Sequence, residues 1–300
     1  VNLSEILEEA LFSGKDTVRY EYVRIIDDVD DILYDDDSDD YIDWFQAFTK
    51  KYPNRDIKKD TSDLLIIPSA IDLINVRGDL YFDELSFQNS VNVQSDSLDL
   101  WIFDSNLSSF GLNIYNDSKV TLKGNNFNGL LYINIHDITS EQKDILNIIK
   151  NNFNIQPPES FITNQGLMNY LENQSLDNYT VIGNPDTGYP TTIKIQTDHS
   201  FVLYENNFII SNSSKRETDS DSLIFNTELY FHLQSKVSGN LSNNIFVANS
   251  PLSLSKQKAS AAISLQLDTD DLIFSGNDFN SYVSVDFENA NYLDFSSNTF

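Results

Sequence analysis

The chain has 300 residues, no cysteine, and 46 acidic against 19 basic residues, for a formal net charge of -27. That charge argues against direct binding to nucleic-acid phosphates or to an anionic membrane surface. The lack of cysteine excludes a disulfide framework, thiolate metal sites and a cysteine nucleophile. No apolar run reaches the roughly 18 residues of a membrane span, so no span is expected within this chain.

Residues 1–14 read as a capped helix. Asn2 is the N-cap, Glu5 stands at the reach-back position of a capping box, and Val1 can staple against Ile6. Leu3, Ile6, Leu7, Ala10 and Leu11 form one apolar stripe, and Gly14 is the stop. Such a helix is expected to lie as a lid over the end of a strand stack, shielding its edge. Val18, Tyr20 and Tyr22 alternate as a first strand.

An acidic run, DDVDDILYDDDSDD, fills residues 27–40. Asp35, Asp37 and Asp39 have the alternate spacing of the first ligands of a helix-loop-helix calcium loop, and Asp43 completes the candidate set. Asp40 replaces the glycine of the sharp turn and Gln46 replaces the bidentate Glu. Calcium is therefore the one candidate cofactor, and a solvated acidic loop is the competing reading. Trp44, Phe45 and Phe48 are expected to anchor a short helix to the body, with sugar stacking as their alternative role. KKYPNRDIKKD, the only compact basic cluster, reads as an exposed connector. Residues 1–70 are assigned to an N-terminal cap with an acidic loop, and 71–300 to a β-helix interrupted by an insertion at about 136–200.

The repeat is an eight-residue template: apolar, any, apolar, two of any type, usually Asn, any, apolar. It fits LYFDELSF from Leu80, LWIFDSNL from Leu100, VTLKGNNF from Val120, FVLYENNF from Phe201, LIFSGNDF from Leu272 and LDFSSNTF from Leu293, with a degraded copy from Gly239. The first two apolar positions share one strand face, and the last follows a corner. Gly, Asn, Asp and Ser interrupt the copies too often for helix. A unit of about 20 residues cannot bury its core side and its strand edges alone, so the units are expected to stack. Asn is at home in a corner, where it tolerates left-handed backbone and bonds nearby groups. Asn125, Asn206, Asn277 and Asn298 are expected to form part of a ladder of amides.

Phe82, Phe87, Ile102, Leu107, Leu112, Leu122, Phe127 and Tyr132 also lie on one five-residue lattice, interrupted at Asn92, Ser97 and Asp117. GDLYFDELSFQNSVNV and the copies after it resemble the Phe-rich coils of pentapeptide-repeat proteins, and SEILEEALFSGKDTVRYEYVRIIDD resembles the helix-plus-strand entry of some prokaryotic, often membrane-associated, members. The resemblance covers residues 3–30 and 72–133, and more weakly the copies from Phe201. It implies an all-β, right-handed, four-sided parallel β-helix. A broader right-handed β-helix with loop excursions is the alternative.

Between His136 and Ser200 helical spacing is read instead. Thr139 and Gln142 pair as a cap before a helix through Ile145, Leu146, Ile148 and Ile149, ended by 151–158, and a second short helix covers Leu167 to Leu171. NPDTGYP is a turn between extended runs. SNSSKRETDSDS and SPLSLSKQKASAA read as polar excursions. The chain starts at Val1 and ends on the last residue of a copy, so the natural protein is expected to continue in at least one direction.

His136, His199 and His232 have no second histidine at metal or catalytic spacing, and no phosphate-binding glycine loop occurs. Acidic pairs such as Asp27 and Asp28, Asp39 and Asp40, and Asp270 and Asp271 are too common to single one out. The expectation is a noncatalytic scaffold or binding protein, extracytoplasmic or the soluble part of a membrane-associated protein, that meets a protein or carbohydrate surface. A polysaccharide lyase or hydrolase is the second reading. A DNA-mimicking topoisomerase binder, implied by the resemblance, is the third.

Overall fold

The computed structural model describes residues 1–25, 43–115, 118–135, 145–155, 193–210, 229–248, 263–280 and 283–300. Among them are two helices and 21 strands that form one sheet, and the named strands pair in parallel. No described helix is long and apolar enough to cross a membrane. The acidic run 27–40, the helix proposed for Leu167 to Leu171, the NPDTGYP turn, the Thr139/Gln142 cap and both polar excursions lie outside the described residues.

The pairings sort into three ladders. The first runs through Thr17–Glu21, Ala70–Ile74, the later parts of Leu85–Ser95 and Asn106–Ile114, Leu131–Ile135, Ile193–Thr197, the starts of Leu229–Ser242 and Ile263–Ser275, and Val283–Glu288. The second runs through Arg77–Asp83, Ser97–Phe103, Lys119–Lys123, Ile145–Ile149, Ser200–Tyr204, the ends of Leu229–Ser242 and Ile263–Ser275, and Tyr292–Ser296. The third joins Leu65–Ile67, the starts of Leu85–Ser95 and Asn106–Ile114, Asn126–Phe127, Asn152–Ile155, Asn207–Ile210, Ile245–Ala248 and Asp278–Asn280.

Three ladders replace the four sides that the family resemblance implies. Burial along each strand follows a period of two, and the apolar lattice residues Phe82, Phe87, Ile102, Leu107, Leu112, Leu122 and Phe127 are all buried. Leu98, Leu100 and Ile102 are buried on the second ladder, and Ser97, where the lattice is interrupted, is exposed. Tyr132 sits between the buried Leu131 and Ile133, so its side chain takes the opposite face, where the Lys194 ammonium lies 5.6 Å from its ring centroid.

The segment read as a helix through Ile145 and Ile149 is a strand. Leu146 and Ile148, two residues apart, are fully buried, and the segment pairs with Lys119–Lys123 on one side and Ser200–Tyr204 on the other. LNIIKNNF from Leu146 is a further template copy. The apparent helical spacing arises because Ile145 and Ile149 flank that alternating pair, and pairing on both edges supplies every backbone partner a helix would have supplied.

The corner has a division of labour that differs from the expected one. The residue before the sixth template position takes the left-handed conformation: Glu84, Asp104, Gly124, Lys150, Glu205, Asn243, Gly276 and Ser297 have φ between 42° and 72°. In the six copies where the sixth position is Asn, that Asn turns inward. Asn125, Asn151, Asn206, Asn244, Asn277 and Asn298 form one column, each Nδ2 donating to the next Oδ1 at 3.0–3.1 Å. The second Nδ2 hydrogen goes to a strand carbonyl, Ile102 for Asn125 and Ile148 for Asn206. Each Oδ1 also accepts the backbone N–H of the preceding Asn, at 2.9–3.1 Å. Asn151 and Asn244 extend the ladder beyond the four residues expected from sequence. Ser105 continues it, its N–H donating to Asn125 Oδ1 and its hydroxyl accepting from Leu85 N–H.

Beside the amides runs a phenylalanine column. Phe127, Phe153, Phe208, Phe246, Phe279 and Phe300 stack with centroids 4.6–5.1 Å apart and planes within 17°. That spacing is the interstrand distance of about 4.8 Å, so pairing in register places one ring on the next. The degraded copy is complementary to its neighbour. A Cβ on Gly239 would lie 2.2 Å from Cζ of Phe201, its register partner, so the missing side chain leaves room for that ring.

At the N-terminus, the Asn2 side chain accepts from Ser4 N–H and starts α1, Leu3–Phe12. Ile6, Leu7 and Ala10 are buried in the common core, and α1 contacts the strands Thr17–Glu21 and Leu65–Ile67. The first strand stops at Glu21, and Tyr22, expected to continue it, is 79% exposed with φ 57°. The second helix, α2, is Trp44–Lys51. Trp44 and Phe48 are buried and stacked at 5.9 Å, and Phe48 meets Phe12 of α1. The basic connector is tied down by contacts to this cap. Lys51 pairs with Glu8, Arg55 lies over Phe12 and Lys59 over Phe45.

Candidate ligand-binding face

Most described interior side chains are occupied in apolar packing or in amide pairing, which directs the search for ligand chemistry to the outward rows. Of the calcium candidates, Asp43 is described and caps α2, its carboxylate accepting from Gln46 N–H at 3.1 Å. Asp35, Asp37 and Asp39 lie outside the described residues. Among the described residues no group of three or more His, Asp or Glu side chains could hold a metal ion. Trp44 and Phe48 are buried anchors, which leaves them no face for sugar stacking. His136 lies outside the described residues, His199 is buried, and His232 stands on the outward row of the first ladder. Asp270 and Asp271 are exposed, and Asp270 accepts from the Asn291 amide.

The outward rows of the three ladders differ in chemistry. On the first ladder, Gln94, Asn113, Asn134, Gln196, His232 and Gln266 follow one another in register. Asn134 donates to Asn113, which donates to the Tyr115 hydroxyl. On the third ladder, Asn207, Asn152, Asn126 and Asn106 bond head to tail at 2.7–3.1 Å, and the row ends on Asp60. Burial pushes the Asp60 carboxyl up, but hydrogen bonds from Ser86, Asn106 and the Ser62 and Leu64 backbone outweigh it and hold the carboxyl below its ordinary value.

The second ladder carries an outward aromatic group. Tyr81 and Trp101 are register partners, and Asp83 and Phe103 are the next pair on the same two strands. The Tyr81 and Phe103 rings meet edge to face at 5.5 Å. Tyr81 donates its hydroxyl toward Asp83 Oδ2 at 3.5 Å. Alternation places all four on the face opposite the buried Leu80, Phe82, Leu100 and Ile102. Glu84 and Asp104, at the left-handed corner positions, flank the group. Burial, then the charges of Glu84 and Asp104, push the Asp83 carboxyl up to about 6. The Tyr81 hydroxyl is pushed up to about 12 by burial and by Asp83. Among the described residues none of these three carboxylates has a salt bridge, although Lys123 follows Phe103 in register.

Reading the sequence for function singled out none of these residues. Tyr81 and Trp101 occupy the free position between the two inward residues of their template copies, and that position was the available signal. Their adjacency depends on the 20-residue offset of the two strands. No family model, curated protein or solved structure matches the chain.

Proposed function

We propose that the chain is a right-handed parallel β-helix with three faces, serving as a noncatalytic scaffold that binds carbohydrate through the outward face of its second ladder. The helical path is supported by the order in which the chain visits the ladders. Leu65–Ile67, Ala70–Ile74 and Arg77–Asp83 belong to the third, first and second, and Leu85–Ser95 returns to the third. Right-handedness follows the near-universal hand of parallel crossover connections. The likeness to pentapeptide-repeat proteins is retained for the Phe-rich repeats and the entry helix.

The observation that carries the binding reading is the Tyr81, Trp101 and Phe103 group, set outside the core beside a buried carboxyl. Aromatic rings offer apolar area with little rotamer entropy, which suits the C–H faces of sugars. A panel of neutral, acidic and amine-bearing polysaccharides, assayed both for retention and for cleavage, tests it. Retention without cleavage is expected. Polysaccharide hydrolysis is the second reading, because Asp83 titrates near 6 and could protonate a leaving oxygen at mildly acidic pH. Cleavage abolished by Asp83→Asn would overturn the scaffold reading in its favour.

A further inference from the structure

We propose that the outward patch of the second ladder takes an amine-bearing sugar, its apolar face on Trp101 and Tyr81 and its ammonium among Asp83, Glu84 and Asp104. This rests on the carbohydrate-binding reading and specifies the ligand class. Three features select the class.

The first is charge. The patch sets three carboxylates around three aromatic rings, none of the carboxylates has a salt bridge among the described residues, and the chain carries -27 overall. A polyuronate is repelled by that field, a neutral sugar gains nothing from it, and an ammonium is drawn to it. The same cation is favoured over an aromatic face, most of all tryptophan.

The second is geometry. Tyr81 and Trp101 are adjacent in register, so their backbones stand about 4.8 Å apart across the ladder. Phe103 braces Tyr81 edge to face and fixes its plane. The Asp83 carboxyl lies at the foot of the patch, 8% exposed, and Asp104 at the neighbouring corner is open to solvent. A ring resting on the aromatics has one acid beneath it and others at its rim, a spread suited to a substituent amine flanked by hydroxyls.

The third is what the backbone denies. Arg77–Asp83 and Lys119–Lys123 both pair with Ser97–Phe103, so the central strand of the patch has no free edge. A basic peptide could not add as a strand beside Trp101 and Phe103, and among the described residues the only strand edge at the patch is that of Arg77–Asp83, which meets just the Arg24 bridge at Arg77. At Trp101 and Phe103 the patch therefore favours a ligand with a flat apolar face over an added strand.

The test follows Trp101 fluorescence in the full chain carrying Trp44→Phe, because the protein has two tryptophans and Trp44 is buried. The probes are glucosamine oligomers with free amines, the same oligomers N-acetylated, unsubstituted glucose oligomers and an oligolysine peptide. Binding of the free-amine oligomer is expected to exceed that of the acetylated one by about tenfold or more, and to weaken as salt rises. Asp83→Asn should remove most of that preference, with unchanged circular dichroism confirming the fold. Trp101→Ala, read by calorimetry, should weaken both by about tenfold or more, with unchanged circular dichroism confirming the fold. Equal affinity for free-amine and acetylated oligomers, lost in Trp101→Ala, would overturn the amine assignment and leave carbohydrate binding standing. No sugar binding at all would end both. Oligolysine outcompeting every oligomer would assign the patch to a basic protein.

Discussion

Two adjacent asparagines, Asn206 and Asn207, face opposite ways, and replacing each by aspartate separates the column from the surface. Asn206 is fully buried; its Nδ2 donates to Ile148 O at 2.6 Å and Asn244 Oδ1 at 3.0 Å, while its Oδ1 accepts from Asn151. Asn206→Asp turns two donors into acceptors that face two acceptors. Leaving a buried polar group unmet costs about 1–3 kcal/mol, so the loss is roughly 2–6 kcal/mol. Burial pushes the new carboxyl up, above its unfolded value of about 3.9. Between those two values the folded state holds more protons than the unfolded state, so stability falls as pH rises. The deficit is therefore smallest near pH 4 and largest at neutral pH. Asn207→Asp removes one amide contact, 2.7 Å to Asn152, at a solvent-facing position, and should cost less than about 1 kcal/mol. Denaturant midpoints of both variants at pH 4 and pH 7 decide the matter. Equal midpoints for the two variants at pH 7, or an Asn206→Asp deficit that shrinks as pH rises, would refute the inward column.

Other substitutions probe the remaining parts. Phe153→Ala opens a hole between Phe127 and Phe208 and should cost about 3–5 kcal/mol in denaturant titrations, as should Phe208→Ala. Gly124 has φ +72°, and a Cβ there would lie 2.0 Å from Asp104 Oδ1, so Gly124→Val should lower thermal stability clearly. Gly124→Asn meets the same Asp104 carboxylate but should be milder than Gly124→Val, because Asn tolerates the left-handed backbone and Asn243 holds the equivalent corner at φ 55°. Asp83, raised to about 6 when folded, destabilises the protein above that pH and not below the unfolded value. Asp83→Asn should therefore raise the melting temperature at pH 8 and lose that advantage by pH 4. The groups facing it in this experiment are Glu84, Asp104, Tyr81 and, one row on, Lys123.

Much of the interior was legible because its determinants are local. Val120, Leu122, Asn125 and Phe127 sit at fixed offsets within one strand and one corner, and the same offsets recur wherever the backbone repeats its path. Asn2 capping α1 and the buried stripe of Ile6, Leu7 and Ala10 were readable for the same reason. The Ile145 to Ile149 segment misled because five residues with three isoleucines and a leucine satisfy helix and strand alike, and only its two flanking strands settle the choice. The identity of the left-handed residue was also hidden. Glu84, Lys150 and Glu205 are poor candidates by residue type, yet stacking fixes the corner and each accepts the conformation.

Sequence alone set the period of two, the corner and the two inward columns, because those arise from a residue and its close neighbours along the chain. The tertiary structure decided which distant copies meet. Asn125 bonds Asn151, 26 residues on, and Asn151 bonds Asn206, 55 residues on, spacings that no fixed repeat length specifies. It likewise put Trp101 beside Tyr81 and Phe103 beside Asp83. Outward rows have no hydrophobic burial to impose a pattern on the residues that fill them, so a patch assembled from separate strands leaves little trace in the linear order.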